Sequence, residues 1–444
     1  MTEPIPRPAL PPSLQQIASC VNGYDPKSLP VAQAQEFIAR LVPKVQAVGM
    51  LALRSALGRV LARDIVSPFD VPAHDNSAMD GFALRGSDLH VDADTVLQIS
   101  GSGFAGQAEP ARAAPGECVR IMTGAVMPAE LDTVVPQEFV RVDGDKVTFP
   151  PSVVRTGDNR RLKGEDLAKG DAALAAGRVL RPADLGMLAS LGQAEVPVFR
   201  RLRVAFFSTG DELRSIGEDL PAGCVYDSNR YTLWGMLARL GVEIIDLGVV
   251  KDDPVALEAT FRAAARDADA VITSGGVSVG EADHTKQVMA ALGDVLFWRI
   301  AMRPGRPMAI GRISTDTRAG ADDAGHSAIL FGLPGNPVAV MVTFYALVRD
   351  ALLAMSGAAV QPMPMLRAAS TVPMRKKPGR TEYQRGIVTR AADGAGFEVR
   401  ITGSQGSGIL RSMSEANGLV VLHHTQGDVA AGELVDVLPF DGLV

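Results

Sequence analysis

Residues 270–285, which read AVITSGGVSVGEADHT, indicate both a fold class and a type of ligand. An apolar run with strand character ends at the paired glycines, and a helical pattern starts at Thr285. A glycine loop that leads into a helix N-terminus presents backbone N–H groups to an anion, and glycine lets a phosphate approach the backbone closely. The loop residues predicted to contact the ligand are Ser274, Gly275, Gly276, Ser278, Gly280 and Glu281.

Two carboxylates in the same loop predict a metal ion. Glu281 and Asp283 would repel a phosphate unless a cation lay between them. The loop therefore predicts a phosphorylated ligand that is handled together with a divalent metal. The alternative is a strand–helix turn that binds nothing, in which Asp283 simply caps the helix.

The chain after Arg203 alternates between strand and helix patterns. Apolar runs at 204–207, 242–250 and 270–274 are separated by helical patterns such as 229–240, where leucines and methionine recur every three or four positions. This alternation predicts a doubly wound, mostly parallel α/β sheet, in which ligands bind beyond the carboxyl ends of the strands. Two further loops reach that edge, and their candidate ligand contacts are Ser208, Thr209, Pro334, Gly335, Asn336 and Pro337.

Three acids lie just past strand ends or at the starts of the following helices: Glu212, Asp252 and Asp283. Each of them alone would more often be a helix cap. Mg²⁺ takes few protein carboxylates and completes its shell with water and substrate oxygens. Three acids near one sheet edge therefore predict a magnesium site, with Asp283 nearest to the metal.

Further motifs give the chain a family resemblance. Besides the 274–285 loop, they are residues 75–83 (DNSAMDGFA), 208–212 (STGDE), 332–337 (GLPGNP), 380–386 (RTEYQRG) and 403–407 (GSQGS). Read in this order, the motifs resemble the molybdopterin molybdenumtransferases, the MoeA proteins, which are related to the E domain of gephyrin. The resemblance covers nearly the whole chain, from about residue 25 onward.

The resemblance implies the last step of molybdenum cofactor assembly. In that step molybdate is inserted into the dithiolene of adenylylated molybdopterin, and the adenylate is hydrolysed with Mg²⁺ and leaves as AMP. Both substrates are small molecules. The reaction suits what the loops indicate by themselves, namely a phosphoanhydride ligand beside an acidic metal site.

The resemblance also assigns residues outside the three loops, and these have ordinary alternatives. The segment around Asp75 could form an Asx turn, Thr123 could lie in a plain turn, and the charges near Arg161 and Asp166 could be surface ion pairs. As the resemblance implies them, the catalytic acids are Asp75, Asp166, Glu212, Asp252 and Asp283, and the added ligand contacts are Thr123 and Arg161.

Three arginines, Arg299, Arg303 and Arg306, occupy positions where the family commonly has lysines. A dianion such as molybdate needs cations or N–H donors to replace its hydration, and arginine adds a bidentate fork that suits tetrahedral oxyanions. The oxyanion site is therefore predicted at these arginines. Auxiliary contacts implied by the resemblance are Arg385, Ser404 and Ser407.

Composition and charge exclude several functional classes. The net charge of −6 over 444 residues argues against a nucleic-acid-binding protein. The three cysteines have no metal-ligand spacing and indicate a reducing compartment. We find no apolar run of membrane-span length and no signal-peptide pattern, and we therefore expect a cytoplasmic protein that does not bind a membrane.

The partners expected from the resemblance are a second copy of the chain and proteins of the same pathway. The family forms homodimers, with the cleft between the α/β domain of one subunit and the inserted β-rich domain of the other. The resemblance further implies the molybdopterin adenylyltransferase and the maturation factors of downstream molybdoenzymes as partners.

Composition shifts divide the chain into segments. The start is rich in proline, helical patterns are expected at 31–42 and 51–62, and strand and turn patterns dominate from residue 67. The expected segments are a disordered arm (1–29), a discontinuous helix-containing domain (30–66 and 168–200), an inserted β-rich domain (67–167), an α/β molybdopterin-binding domain (201–358) and a C-terminal β domain resembling a small barrel (359–444).

Two other functions fit the same resemblance. One is a non-catalytic scaffold of the gephyrin type, which loss of the acids would favour, although Asp75, Asp252 and Asp283 are all present. The other is a paralogue that handles tungstate, for which the three arginines of the oxyanion site are the visible difference.

Overall fold

The structure of the chain is a computed structural model that describes residues 13–107, 111–277, 284–314 and 327–441. Four of the predicted site residues, Ser278, Gly280, Glu281 and Asp283, lie outside the described residues.

The α/β domain is built on one six-stranded sheet. Its strands lie in the order Glu243–Val250, Arg203–Thr209, Ala270–Ser274, Ser327–Leu333, Pro307–Ser314 and Gly293–Arg299. The first four are parallel to one another, and the last two are antiparallel to their neighbours. The prediction of a mostly parallel doubly wound sheet is confirmed, but the strand at 307–314 was not predicted.

Both faces of this sheet are covered, which explains the apolar strands. Alternate residues of one strand enter different cores: Val204 and Phe206 pack on one side, and Ala205 and Phe207 on the other. A strand that is buried on both faces reads as a continuous apolar run. The helices of the domain are Ser228–Arg239, Pro254–Asp267, His284–Leu292, Pro337–Thr343 and Arg349–Met355, with a π-helical turn at Phe344–Val348 between the last two.

The continuous helical stretch Pro337–Met355 has the length and apolar composition of a membrane span. This corrects the expectation that the chain has no apolar run of that length. In its most apolar window, 72% of the residues are buried within the protein. The stretch packs against the strand Ser327–Leu333 and the helix Val31–Leu41, and its apolarity therefore belongs to the protein core.

The expected disordered arm is wrong for residues 13–29. Ser13 caps the helix Leu14–Cys20 in a reciprocal capping box with Gln16. Leu14 and Leu29 are fully buried, and the indole N–H of Trp298 donates to the Tyr24 hydroxyl at 2.8 Å. The capping box stabilises the start of the helix, and the apolar spacing gives the helix a face that can be buried. Burial of this face orders the segment despite its proline-rich composition.

The first predicted domain also differs from expectation. The helix Val31–Leu41 packs in the core of the α/β domain, where Phe37 lies edge-to-face against Trp298. The predicted helix at 51–62 is wrong, because Val48–Ala52 is a strand paired antiparallel with Glu195–Phe199. Pairing with a distant strand has outweighed local helix propensity. The remaining elements of this unit are Leu53–Ala56 (3₁₀), Ile65–Val66, Ala172–Leu174 and the helix Pro182–Ser190.

The inserted segment forms a β-rich unit with two small cores. Its six-stranded sheet has the order Thr133–Pro136, Gly81–Leu84, Glu117–Ile121, Thr95–Gly103, Lys146–Phe149 and Arg141–Asp143. A separate two-stranded pair joins Asn76–Ser77 to Arg160–Arg161. The short 3₁₀ turns are Gly86–Asp88 and Gln137–Phe139.

The C-terminal segment is a closed five-stranded barrel. Its strands follow one another around the barrel as Thr381–Arg390, Phe397–Ile401, Leu366–Ser370, Leu434–Pro439 and Gly418–Leu422, and the last pairs with the first. The short strand Met302–Arg303 pairs with Thr381–Glu382, so that one of the predicted oxyanion arginines lies against the barrel. The short helix of this segment is Arg411–Glu415, and two small strands of the α/β domain pair at Leu213–Arg214 and Val225–Tyr226.

Candidate functional site

The paired glycines at the end of the strand Ala270–Ser274 occupy places that no side chain could share. Their φ angles are +96° at Gly275 and +67° at Gly276, which favour glycine. A Cβ on Gly275 would lie 2.5 Å from the Thr209 carbonyl oxygen, and a Cβ on Gly276 would lie 2.5 Å from the Thr285 hydroxyl. These two glycines let the loops after neighbouring strands and the helix His284–Leu292 come together at the carboxyl edge of the sheet.

Buried hydroxyl groups at this edge have no partner within the described part of the chain. They are the hydroxyls of Ser208, Thr209 and Thr273, all at the ends of adjacent strands. A buried polar group without a hydrogen bond costs free energy, so such groups concentrate where a ligand or water binds. Ser208 and Thr209 were predicted as ligand contacts, and Thr273 was not.

The two described acids of the predicted metal site lie at the same edge. Asp252 is half-buried, its carboxylate accepts from the Thr285 hydroxyl at 3.3 Å, and its N–H donates to the Asp211 carboxylate at 3.3 Å. Glu212 is exposed and folds back against Gly210. Through the described ranges, no three His, Cys, Asp or Glu side chains come close enough together to hold a metal. The third predicted acid, Asp283, is outside those ranges.

A cavity of about 470 Å³ lies beside this edge and extends to the barrel. It is lined by the predicted residues Arg303, Pro334, Gly335, Asn336 and Ser407. Arg303 is exposed, and no hydrogen bond of its side chain is recorded among the described residues. The cavity therefore combines a guanidinium that is open to an anion with loops from the sheet edge and from the barrel. The other lining residues are Pro304, Gly305, Pro307, Ala339, Gln405 and Gly406.

Arg385 lies behind this cavity and holds one of its walls. Its side chain is 1% exposed and donates to the carbonyl of Gly406 at 2.9 Å and to the Ser412 hydroxyl at 3.0 Å. Burial and, after it, the nearby charge of Arg303 together lower the pKa of Arg385 to about 10. Because the two cations repel each other and burial disfavours the charge of Arg385, an anion bound in the cavity would be stabilised by both charges.

The other predicted oxyanion residues do not line the cavity. Arg299 ends the edge strand of the sheet and is exposed, and Arg306 is exposed in the following turn. Ser404 is also exposed, and its carbonyl accepts from Arg385 at 3.4 Å. The structure thus brings together Arg303, Ser407 and, from behind, Arg385.

The predicted residues of the inserted domain form a separate group. The Asp75 carboxylate pairs with Arg160 and accepts from the Lys163 N–H at 2.7 Å. The Lys163 N–H and, after it, the Arg160 guanidinium outweigh the opposing effect of burial and hold the pKa of Asp75 below its usual range. Thr123 donates to Asp80 from both its hydroxyl (2.6 Å) and its N–H (2.7 Å). The other two predicted residues of this domain, Arg161 and Asp166, are exposed.

Asn229, at the start of the helix Ser228–Arg239, also belongs to the site and was not predicted from the sequence. Its side-chain amide donates to the Ser274 hydroxyl at 2.8 Å and to the Gly335 carbonyl at 2.7 Å. Asn229 follows Asp227 and Ser228, and this Asp-Ser-Asn run is typical of a helix cap, which Asp227 does provide. The signal for a second role was weak, because only the fold brings residues 274 and 335 to the same place.

Comparisons with known proteins agree with this architecture along the chain. Residues 29–192 match the MoeA N-terminal region (domain I and II), residues 205–354 match a probable molybdopterin binding domain, and residues 367–440 match the MoeA C-terminal region (domain IV).

Among the relatives, the molybdopterin molybdenumtransferase of Haemophilus influenzae is 40% identical over 417 residues, which cover 94% of this chain and 100% of that protein. The molybdopterin molybdenumtransferase of a Nostoc species is 36% identical and covers 94% of this chain and 97% of its own length. The crystal structure of the molybdopterin biosynthesis moeA protein of Pyrococcus horikoshii OT3 is 28% identical, with a TM-score of 0.77 over 93% of this chain and 100% of that one. The chain therefore belongs to the MoeA family.

Proposed function

We propose that this transferase of the MoeA family inserts molybdate into adenylylated molybdopterin and releases AMP in an Mg²⁺-dependent step. The observation that carries the proposal is the cavity of about 470 Å³ that Arg303, Gly335 and Ser407 line together. Gly335 also lies next to the glycine pair, since a Cβ on it would be 3.8 Å from the Cα of Gly275. An oxyanion and a phosphate can therefore be held side by side.

Each part of the site has a physical role in this proposal. The unpartnered hydroxyls of Ser208 and Thr209 supply hydrogen-bond donors for phosphate oxygens at the strand edge. The Gly275 N–H already donates to the Leu333 carbonyl at 3.1 Å and is therefore not available to a phosphate. Arg303 supplies a charged donor to molybdate, and Arg385 holds the part of the lining that Gly406 forms.

Carboxylates at the sheet edge are the ligand type that Mg²⁺ takes in proteins together with substrate oxygens. Glu212 and Asp252, with Asp283, would hold it, because Mg²⁺ binds through one or two carboxylates plus phosphates and water. When bound, the ion neutralises charge on the bridging phosphate oxygens. Without it, the carboxylate of Asp252 would oppose binding of the anionic ligand at this edge.

We further propose that the chain works as a homodimer in the cytoplasm and takes its substrate from a molybdopterin adenylyltransferase. Asp75 and Asp166 lie in the inserted domain and are absent from the lining of the cavity, and a second copy could supply them to the α/β edge. Exposed Tyr231 and Trp234, one helical turn apart, offer an apolar surface to such a copy. The three cysteines are free, as expected in a reducing compartment.

The test is a reconstituted reaction. The purified chain is incubated with adenylylated molybdopterin, Mg²⁺ and molybdate, and AMP release and metal incorporation are followed together. We expect both to occur and to stop when Mg²⁺ is chelated. Binding of the pterin without AMP release would instead identify a scaffold, and faster incorporation of tungstate than of molybdate would identify a tungstate-handling paralogue.

A further inference from the structure

Asn229 connects two loops that otherwise belong to different parts of the site. One N–H of its amide reaches the Ser274 hydroxyl, at the start of the glycine loop, and the other reaches the Gly335 carbonyl, on the wall of the oxyanion cavity. Because a backbone carbonyl can only accept, the amide nitrogen must be the atom that faces Gly335. Both donors of this nitrogen are then used, and the orientation of the amide is fixed.

The burial of Asn229 argues for a role beyond helix capping. Its side chain is 7% exposed, and its Oδ1 is buried without a partner among the residues that the structure describes. The capping of this helix is already provided by Asp227, whose carboxylate accepts from the Arg230 N–H at 3.1 Å. A buried amide that leaves an acceptor unpaired is costly, unless a ligand or water completes it.

The hydrogen bond to Ser274 also sets the direction of that hydroxyl. Since the Ser274 oxygen accepts from Asn229, its own O–H is left to donate to another group. The hydroxyls of its neighbours at the edge, Ser208 and Thr273, have no partner at all in the described ranges. A phosphate oxygen would therefore meet a Ser274 hydroxyl whose oxygen already accepts from Asn229 and whose O–H can donate.

We propose that Asn229 is a positioning residue, which holds the glycine loop and the 332–337 loop at the separation that the phosphorylated pterin needs. The proposal rests on the proposed function for the identity of the ligand. Its action is indirect, because Asn229 orients Ser274 and Gly335, and these face the ligand. Misplacing the groups that position a substrate by about 1 Å can lower the reaction rate on the order of 100-fold.

The matched pair of variants is Asn229→Asp and Thr232→Val on the same helix. Asn229→Asp keeps the shape of the side chain but removes both donors and places a carboxylate against a carbonyl. Thr232→Val also removes a partly buried hydrogen bond, which the Thr232 hydroxyl donates to the Ser228 carbonyl at 3.0 Å. This bond lies within the helix and joins neither loop. If Asn229→Asp does not fold, as judged by its thermal unfolding, Asn229→Ala is measured instead.

The measurement is equilibrium binding of molybdopterin and of its adenylylated form to the intact chain, which requires no turnover. We expect Asn229→Asp to weaken binding by about tenfold or more and Thr232→Val to change it by less than about twofold. Parental affinity in a folded Asn229→Asp variant would overturn the proposal, as would equal weakening by Thr232→Val. A parental chain that binds both ligands but never incorporates molybdate would refute the proposed function alone.

Discussion

Replacing Arg303 with alanine removes the one guanidinium, within the described residues, that lines the cavity between the sheet edge and the barrel. A hydrogen bond to a charged group contributes about 1.5–3 kcal/mol, which is about 10- to 150-fold in affinity. Because Arg303 is exposed, solvent screens its charge, and we expect the lower part of this range. The molybdate concentration that half-saturates incorporation should therefore rise by about 10- to 30-fold.

The same substitution should leave the stability of the ligand-free protein unchanged or slightly raised. The charge of Arg303 helps to lower the pKa of the buried Arg385, so its removal relieves repulsion between two cations. Molybdate should raise the thermal unfolding midpoint of the parental chain, because a ligand that binds only the folded state stabilises it. In Arg303→Ala this increase should be much smaller at equal molybdate concentration.

The assay is a titration of metal incorporation against molybdate at fixed adenylylated molybdopterin, with thermal unfolding as a second readout. Arg239→Ala is the matched control, because Arg239 is an exposed arginine at the far end of the helix that begins beside Asn229. The control should titrate like the parental chain. An unchanged molybdate curve in a folded Arg303→Ala variant would refute the oxyanion assignment and leave only the sheet-edge site.

Three further predictions concern the rest of the site. Gly276→Ala should lower the free energy of unfolding by about 1–3 kcal/mol, because its Cβ would lie 2.5 Å from a threonine hydroxyl in the following helix. Gly335→Ala should leave denaturant unfolding unchanged, because its Cβ would lie 3.8 Å from the nearest described atom outside its own chain neighbours. Asp75→Asn should cost about 1 kcal/mol at pH 7. The Lys163 N–H keeps the pKa of Asp75 low in the folded state. The carboxylate therefore stabilises the fold above its unfolded pKa of about 4, and this stabilisation is lost as the pH falls through the folded pKa. Equal sensitivity of the parental chain and Asp75→Asn to denaturant at pH 7 would contradict this prediction. Asp283→Asn should abolish Mg²⁺-dependent AMP release. The unfolding midpoint should stay near the parental value, since asparagine caps a helix about as well as aspartate. AMP release at the parental rate would show that Asp283 acts only as a helix cap.

Sequence alone determined the parts of this protein that depend on local pattern. The strands from Arg203 onward are apolar throughout because both faces of the sheet are buried, and the helix Pro254–Asp267 begins at a proline in its first turn. The glycine pair at 275 and 276 could be recognised because only glycine fits its positive φ angles and close contacts. The order of such motifs along the chain was enough to indicate the family.

Only the tertiary structure decided how distant segments share a core and a site. Residues 13–29 read as a proline-rich arm, but their apolar face packs on the α/β domain beside Trp298. Arg385 read as a ligand contact, but folding of the barrel buries it behind the wall that it supports. Asn229 was predicted only as the start of a helical pattern, but its two hydrogen bonds span 45 and 106 residues of sequence. Local sequence patterns do not predict such contacts, because these contacts form only when folding brings distant segments together.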